Sequence, residues 1–281
     1  MSAPLRDVRD ECGTVVSVDI LGGGMVEVQA TLPHLAATAR PGQFAQLKCG
    51  TGFSPLLRRP FSVAWTDGDV AAFVLAPVGV GTRILASLHP GDTLTSLGPL
   101  GTGFDAETSA PRALCVSGGL GCAPFPHLVR ALRRQGKNVT VINGAATADL
   151  LYPAERFVRG DVAVKVVELT VDGSRGIRGL VTDSVAENMT TETDVYACGP
   201  NPMLAAVART VDGLPTAPLH AEVSLEAPMG CGFGTCLGCA LPVVGGDETT
   251  AWALCCTAGP VMPLRAVAWD ELMRLPPAHV A

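Results

Sequence analysis

The residues of this sequence best suited to chemistry are the cysteines of MGCGFGTCLGCA. Cys231, Cys236 and Cys239 stand in a C-x4-C-x2-C array, and Cys255 or Cys256 in CCTAGPV can add a fourth thiolate. Three thiolates so spaced, with a distant fourth, match the plant-type pattern for a [2Fe–2S] cluster. Gly230, Gly232, Gly234 and Gly238 are interleaved with them, which lets the backbone curl and its amides approach inorganic sulfide. A structural zinc site is the competing reading, because Cys236 and Cys239 form a C-x2-C hook. Zinc motifs usually pair two such hooks, and here the second is absent. The array predicts electron transfer.

Two further constellations bear on ligands. In SGGLGCAPF, Gly118, Gly119 and Gly121 sit between a strand-like run and a helix, where amides carry partial positive charge and suit a pyrophosphate. The segment is not the G-x-G-x-x-G fingerprint: Pro124 replaces the third glycine, and the next strand ends in Asn143-Gly144-Ala145 without an acid. An ordinary tight turn therefore stays open, although CGPNPM (Cys198 to Met203) is a second strand-to-helix turn that can wall the same crevice. Arg58-Arg59-Pro60-Phe61-Ser62 places guanidinium, ring and hydroxyl together, suited to phosphate and to a flavin. Gly79-Val80-Gly81-Thr82 offers amides and a hydroxyl before a short helix. The plain alternative there is a surface arginine pair and a core Phe. No nucleophile or acid–base pair stands out. His34, His89, His127, His220 and His279 are widely separated, and Asp247-Glu248 reads as solvated loop charge.

The elements that must position these residues change character along the chain. Up to about residue 100, short alternating runs (Val15 to Ile20, Met25 to Thr31, Phe44 to Cys49, Phe61 to Trp65, Val70 to Leu75, Thr93 to Leu97) are broken by Gly/Pro turns. With one short helical segment, GTRILASL, they predict a small antiparallel barrel. Strands and helices then alternate: Ala113 to Val116, a helix to about Gln135, Val139 to Asn143, Val162 to Leu169, a helix from about Leu180 to Met189, Val195 to Cys198, and a helix from about Pro202 to Val211. That rhythm predicts a parallel sheet flanked by helices. The expected fold is thus α+β and multidomain: a barrel over 1–101, an α/β domain over 102–220 and a Cys/Gly-rich lobe over 221–281.

With 281 residues the chain can bury a large core. A net charge of -6 and the lack of any Lys/Arg run argue against nucleic acid. No apolar stretch reaches the eighteen or so residues of a membrane helix, and the charged start MSAPLRDVRDE has no signal-peptide core. Ten cysteines, four of them clustered and the rest scattered, suit a reducing cytoplasm.

Taken together, RRPFS, VGVGT, LGPLGTGF, SGGLGCAPF, DGSRGIRG, YACGPNPM and the Cys array resemble, in order and spacing, the electron transfer subunits of NAD-dependent (class 1B) dihydroorotate dehydrogenase. These belong to the ferredoxin reductase-like superfamily, and the resemblance runs from about Val15 to Pro263. It implies FAD at Arg59, Pro60, Phe61, Ser62, Val74, Leu75, Ala76, Gly81 and Thr82, and NAD at Gly118, Gly119, Gly121, Cys198, Gly199 and Pro200. It implies a [2Fe–2S] cluster on Cys231, Cys236, Cys239 and Cys256, and an FMN-containing catalytic partner that oxidises dihydroorotate to orotate in pyrimidine biosynthesis, in a heterotetramer of two plus two. Similar subunits serve hydrogenases, sulfite reductases and ferredoxin:NADP reductases. Four positions depart from the family pattern: Ala76 stands for an Arg, Phe61 for an aliphatic residue, Ala258 for the Asp of C-x-D-G-P-V, and Cys255 is an extra thiol.

Overall fold

Residues 7–50, 52–215, 217–246 and 249–275 are described by the computed structural model. Asp247, Glu248 and His279 lie outside the described residues. The expected barrel, parallel sheet and C-terminal lobe are all present. Strands β1 (Arg9–Ile20), β2 (Val26–Thr31), β3 (Phe44–Leu47), β4 (Arg59–Asp67), β5 (Val70–Leu75) and β6 (Thr93–Leu100) close an antiparallel barrel in the order β1-β2-β5-β4-β3-β6. Strand β1 begins six residues before the apolar run that announces it, because Arg9–Thr14 pair with β6 while Thr14–Ile20 pair with β2. One strand thus serves two neighbours, and its first half needs no apolar signature. Alternate side chains of these strands (Val28, Ala45, Leu47, Val63, Phe73) fill the interior and are fully buried. Helices α1 (Pro33–Thr38) and α2 (Val80–Ala86) bridge strands of the barrel.

The second unit is a doubly covered sheet. Strands β7 (Arg112–Gly118), β8 (Asn138–Ala145), β9 (Lys165–Thr170), β10 (Ile177–Arg178) and β11 (Thr193–Cys198) are parallel, with helices α3 (Phe125–Arg134), α4 (Ala154–Val158) and α5 (Asn201–Gly213) packed about them. Continuous burial of Ala113–Gly118 and of all β11 fits strands covered on both faces. The helix expected near Leu180–Met189 is instead two 3-10 turns, Val181–Ser184 and Ala186–Asn188. Polar side chains compete with the helical pattern there: the Leu180 amide donates to Asp183 Oδ2 at 2.8 Å, and Asn188 Nδ2 donates to the Ser184 carbonyl at 2.8 Å.

The sheet does not stop where the α/β rhythm ends. Strand β12 (His220–Ser224) extends it beside β11, a hairpin of β13 (Ala240–Val244) and β14 (Thr250–Leu254) projects from it, and β15 (Val261–Pro263) returns antiparallel to β12, ahead of α6 (Trp269–Arg274). Cys239, Cys255 and Cys256 share one apolar cluster with Val195, Leu204 and Val207 of the α/β unit. Against the barrel, α3 and α4 are held by charge and by aromatic packing. Arg156 reaches buried Glu27 at 2.8 Å and Asp19 at 3.2 Å, Arg130 donates to the Thr66 carbonyl at 2.7 Å, and Arg159 lies 4.0 Å over the Trp65 ring. Removing Arg156 would leave the buried Glu27 carboxylate without its charged partner. Among the described residues, no helix is long and apolar enough to cross a membrane.

Candidate functional site

The cysteine loop leaves β12 and turns back toward the barrel. Cys231 Sγ accepts the Cys236 amide at 3.5 Å. Desolvation raises the Cys231 pKa, but the amides of Cys236, Phe233 and Thr235 outweigh it and bring the thiol down to about 6. These amides favour the thiolate, the form that binds metal. Cys239 Sγ lies 3.2 Å from Cys256 Sγ and accepts the Cys256 amide at 3.4 Å. Burial first, and then the neighbouring Cys239 sulfur, push Cys256 up to about 12. Two thiols this close cannot both ionise unless a cation relieves them, which iron does. Cys255 faces the other way: its Sγ donates to the Leu225 carbonyl at 3.5 Å, and burial keeps it a protonated thiol. The structure thus brings the sulfur of Cys256, and not that of Cys255, to the Cys239 sulfur, although the Cys255 amide donates to the Cys239 carbonyl at 2.9 Å. Among the described residues no three His, Cys, Asp or Glu side chains converge as a site for one metal ion; the cysteines form two pairs. This donor set of thiols under aimed amides fits an iron–sulfur cluster.

Two contacts seat this loop on the barrel. Gly232 has φ +84, and a Cβ there would stand 2.7 Å from Gln46 Cγ of β3. Thr102, just past β6, donates its amide to the Gly259 carbonyl at 2.6 Å. Phe233 and Leu237 are exposed on the rim. A cavity of about 620 Å³, lined by Arg40, Leu100, Phe233, Leu254 and Cys256, opens beside the loop.

The flavin motif occupies β4, with Arg59, Pro60, Phe61 and Ser62 opposite Leu47, Gln46, Ala45 and Phe44 of β3. Arg58 is engaged by Asp10 through two bonds of 2.9 and 2.8 Å. Among the described residues, Arg59 donates to the Leu57 and Arg58 carbonyls and no carboxylate pairs with it. Its charge is therefore available to an anion. Gly81, in the first turn of α2, packs against it: a Cβ there would lie 3.4 Å from Arg59 Cγ and 2.9 Å from Cys49 Sγ. The Thr82 hydroxyl accepts the Gly79 amide at 2.9 Å and donates to the Gly79 carbonyl at 3.1 Å, so it is spent on the turn. Phe61 packs partly on the barrel interior. Val74 and Leu75 end β5 as buried residues, and Ala76 follows, its carbonyl accepting the Val78 amide at 2.9 Å.

The two strand-to-helix turns of the α/β unit do share one wall. Strands β7 and β11 are neighbours, with Ser117 opposite Cys198, so both turns lie at the carboxyl edge of the sheet. Gly121 is pressed against Cys198 so closely that any Cβ would overlap the Cys198 carbonyl. Met203 fills the space beside Gly118 and Gly199, while nothing stands within 4 Å of the Cβ position at Gly119. Pro200 precedes α5 and accepts the Met203 and Leu204 amides at 2.9 and 3.1 Å. Asn143 braces the crevice floor: Ser117 Oγ donates to it at 3.2 Å, and its Nδ2 donates to the Tyr152 carbonyl at 2.8 Å. Burial, and then the carboxylate of Glu226, lift Cys198 to about 12. Glu226 was not signalled by any motif; it reaches this turn because β12 runs beside β11.

Comparisons with known proteins bear on the family and the fold. A family model described as the iron-sulfur cluster binding domain of dihydroorotate dehydrogenase B matches residues 226–268, and one described as an oxidoreductase NAD-binding domain matches residues 115–209. The dihydroorotate dehydrogenase B (NAD(+)) electron transfer subunit of Bacillus caldolyticus is 40% identical over 254 residues, covering 88% of this chain and 94% of its own. The subunit of that name from Desulforamulus reducens is 34% identical over 260 residues, covering 91% and 97%. Among solved structures, one described as an NADH-dependent reduced ferredoxin-NADP oxidoreductase, studied for flavin-based electron bifurcation, superposes with a TM-score of 0.80 at 28% identity, covering 93% of this chain and 91% of that one. The chain belongs to the family of electron transfer subunits of NAD-dependent dihydroorotate dehydrogenase B.

Proposed function

We propose that this chain relays electrons from an FMN-bearing partner, which oxidises dihydroorotate to orotate, to NAD. The observation that carries this reading is the seating of the cysteine loop on the flavin strand pair, with Gly232 against Gln46 and Gln46 opposite Pro60. When bound, the [2Fe–2S] cluster would supply one-electron exchange, and FAD would supply the pairing of two such electrons with one proton as the hydride that NAD accepts. The chain's own part is to hold and insulate. Cys231, Cys236, Cys239 and Cys256 would hold the cluster, with the loop amides donating to sulfur. Arg59 would hold flavin phosphate or ring, with Pro60, Phe61, Ser62, Val74, Leu75, Ala76, Gly81 and Thr82 about it. Gly118, Gly119, Gly121, Cys198, Gly199 and Pro200 would form the nicotinamide nucleotide crevice. The work then divides as flavin over 1–101, nucleotide over 102–220 and cluster over 221–281.

The partner docks where the cluster loop reaches the surface, beside Phe233 and Leu237, in an assembly of two plus two. Ten free thiols suit a reducing cytoplasm. A different redox partner is the second reading, favoured by the close superposition on the bifurcating oxidoreductase, but relatives at 34–40% identity outweigh a structure at 28%. The purified chain should oxidise NADH with an artificial dye as acceptor, and should oxidise dihydroorotate only once the FMN-bearing partner is added. Full dihydroorotate–NAD activity from this chain alone overturns the relay.

A further inference from the structure

Gln46 is fully buried, yet neither its Oε1 nor its Nε2 has a hydrogen-bond partner among the described residues. A carboxamide so placed loses the water it bonded in the unfolded chain and gains nothing in return, so a native protein rarely leaves one unmatched. Its place in the fold narrows what the missing partner is. Along β3, Ala45 and Leu47 point into the barrel, so Phe44 and Gln46 point out. Phe44 belongs to the apolar cluster that contains Cys239, Cys255 and Cys256. The Gln46 Nε2 lies 2.8 Å from the point where a Cβ on Gly232 would stand, and Gly232 separates Cys231 from Phe233. A glycine in the left-handed region thus leaves room for a donor beside the first cysteine of the array. The donors that reach sulfur in the loop are the amides of Cys236 and Cys256 and the Cys239 thiol; Gln46 would add a carboxamide from a barrel strand.

We propose that Gln46 donates its side-chain N–H to a sulfur of the cluster and so raises the cluster's reduction potential. The inference rests on the reading that this loop carries a [2Fe–2S] group. A hydrogen bond to sulfur stabilises the more negative, reduced state, which is why such bonds set cluster potentials. The donor also ties that potential to the barrel strand that pairs with the flavin motif.

The test is an EPR-monitored redox titration of the intact protein with Gln46→Met, which keeps length but has no donor, and Gln46→Glu, which replaces donors by acceptors. Both variants should keep about two iron atoms and one flavin per chain. Their cluster potential should fall, changing the oxidised-to-reduced ratio at fixed poise on the order of tenfold, about 59 mV for one electron. The flavin potential should stay in place. A Gln46→Met protein with full iron and an unmoved cluster potential overturns the proposal, as does a shift confined to the flavin. Should the variants fail to fold, wild-type protein carrying nitrogen-15 glutamine answers instead. Pulsed EPR of its reduced form should show a side-chain nitrogen coupled to the cluster, and absence of that coupling overturns the proposal. Wild-type protein without iron defeats the cluster reading itself, an outcome distinct from any of these.

Discussion

In the turn after β7, Gly121 is barred from carrying a side chain by the Cys198 carbonyl, whereas in the loop after β12 a Cβ on Gly230 would meet only Cys236 Sγ at 3.4 Å. Both segments are glycine-rich in sequence, three glycines beside one cysteine in the first and four among three cysteines in the second. The first is packed: its glycines let two turns touch, and the crevice exists because they touch. The second is curled: between its glycines the amides of Phe233, Thr235 and Cys236 turn inward onto the Cys231 sulfur, and Gly232, against Gln46, is the most closely packed of those glycines. Glycine enrichment by itself therefore says little about mechanism. Its neighbours in space decide whether the missing side chain serves close approach or backbone direction.

The largest effect that could break this contrast is at the ligands. Cys256→Ser should lose the cluster almost entirely, seen as iron content and the reduced EPR signal, while Cys255→Ser should keep about two iron atoms per chain. The reverse result would mean that the Leu225-bonded thiol, and not the one against Cys239, is the ligand. Next, Gly121→Ala should cost about 3 kcal/mol by overpacking and abolish NAD binding, read by thermal unfolding and nucleotide titration. Gly230→Ala should stay within about 0.5 kcal/mol of wild type and keep its iron. Equal costs at the two glycines would erase the distinction drawn between packed and curled segments.

Acid should also separate the regions. His127 lies on α3, the helix that the packed turn opens, and burial first, then Arg130, lower its pKa from 6.5 to about 4. The unfolded chain then binds a proton that the folded one refuses. This contribution is constant above pH 6.5, falls by up to about 3 kcal/mol as pH drops from 6.5 to about 4, and is flat below. Denaturant titrations of wild type and His127→Gln across that window check it; parallel curves would remove the account. A further effect lies outside the two regions, on the barrel strand β4. Arg59→Ala should weaken flavin binding tenfold to a hundredfold, the worth of a charge-assisted bond of roughly 1.5–3 kcal/mol, and leave iron content unchanged. Unaltered flavin retention would show that the guanidinium, though unpaired, holds nothing.

Much of this was legible in the residues. Regular alternation announced the barrel, and runs buried on both faces announced the parallel sheet, because each strand's burial is written into its own neighbours. The first half of β1 was not legible, since its partner β6 lies some eighty residues away and asks for no apolar pattern. Nor was the choice of 3-10 turns near Asp183 and Asn188, where side chains outbid the helical periodicity. The clamp of Arg156 on Glu27 joins positions 129 residues apart, and nothing local marks either end. Gln46 hid for the same reason: a polar residue in an apolar strand has no meaning until residue 232 arrives beside it.

The ladder between β12 and β15 also governs how this chain can be taken apart. Because Val261–Pro263 returns to pair with His220–Ser224, and Leu225 donates its amide to the Pro260 carbonyl at 2.9 Å, the cysteine loop is a long excursion between two adjacent strands. An engineer who transplants that loop onto another reductase must carry both strands across with it. A cut at residue 225 would part β12 from β15 and leave a bare edge on each, so the natural unit of exchange begins inside the nucleotide sheet.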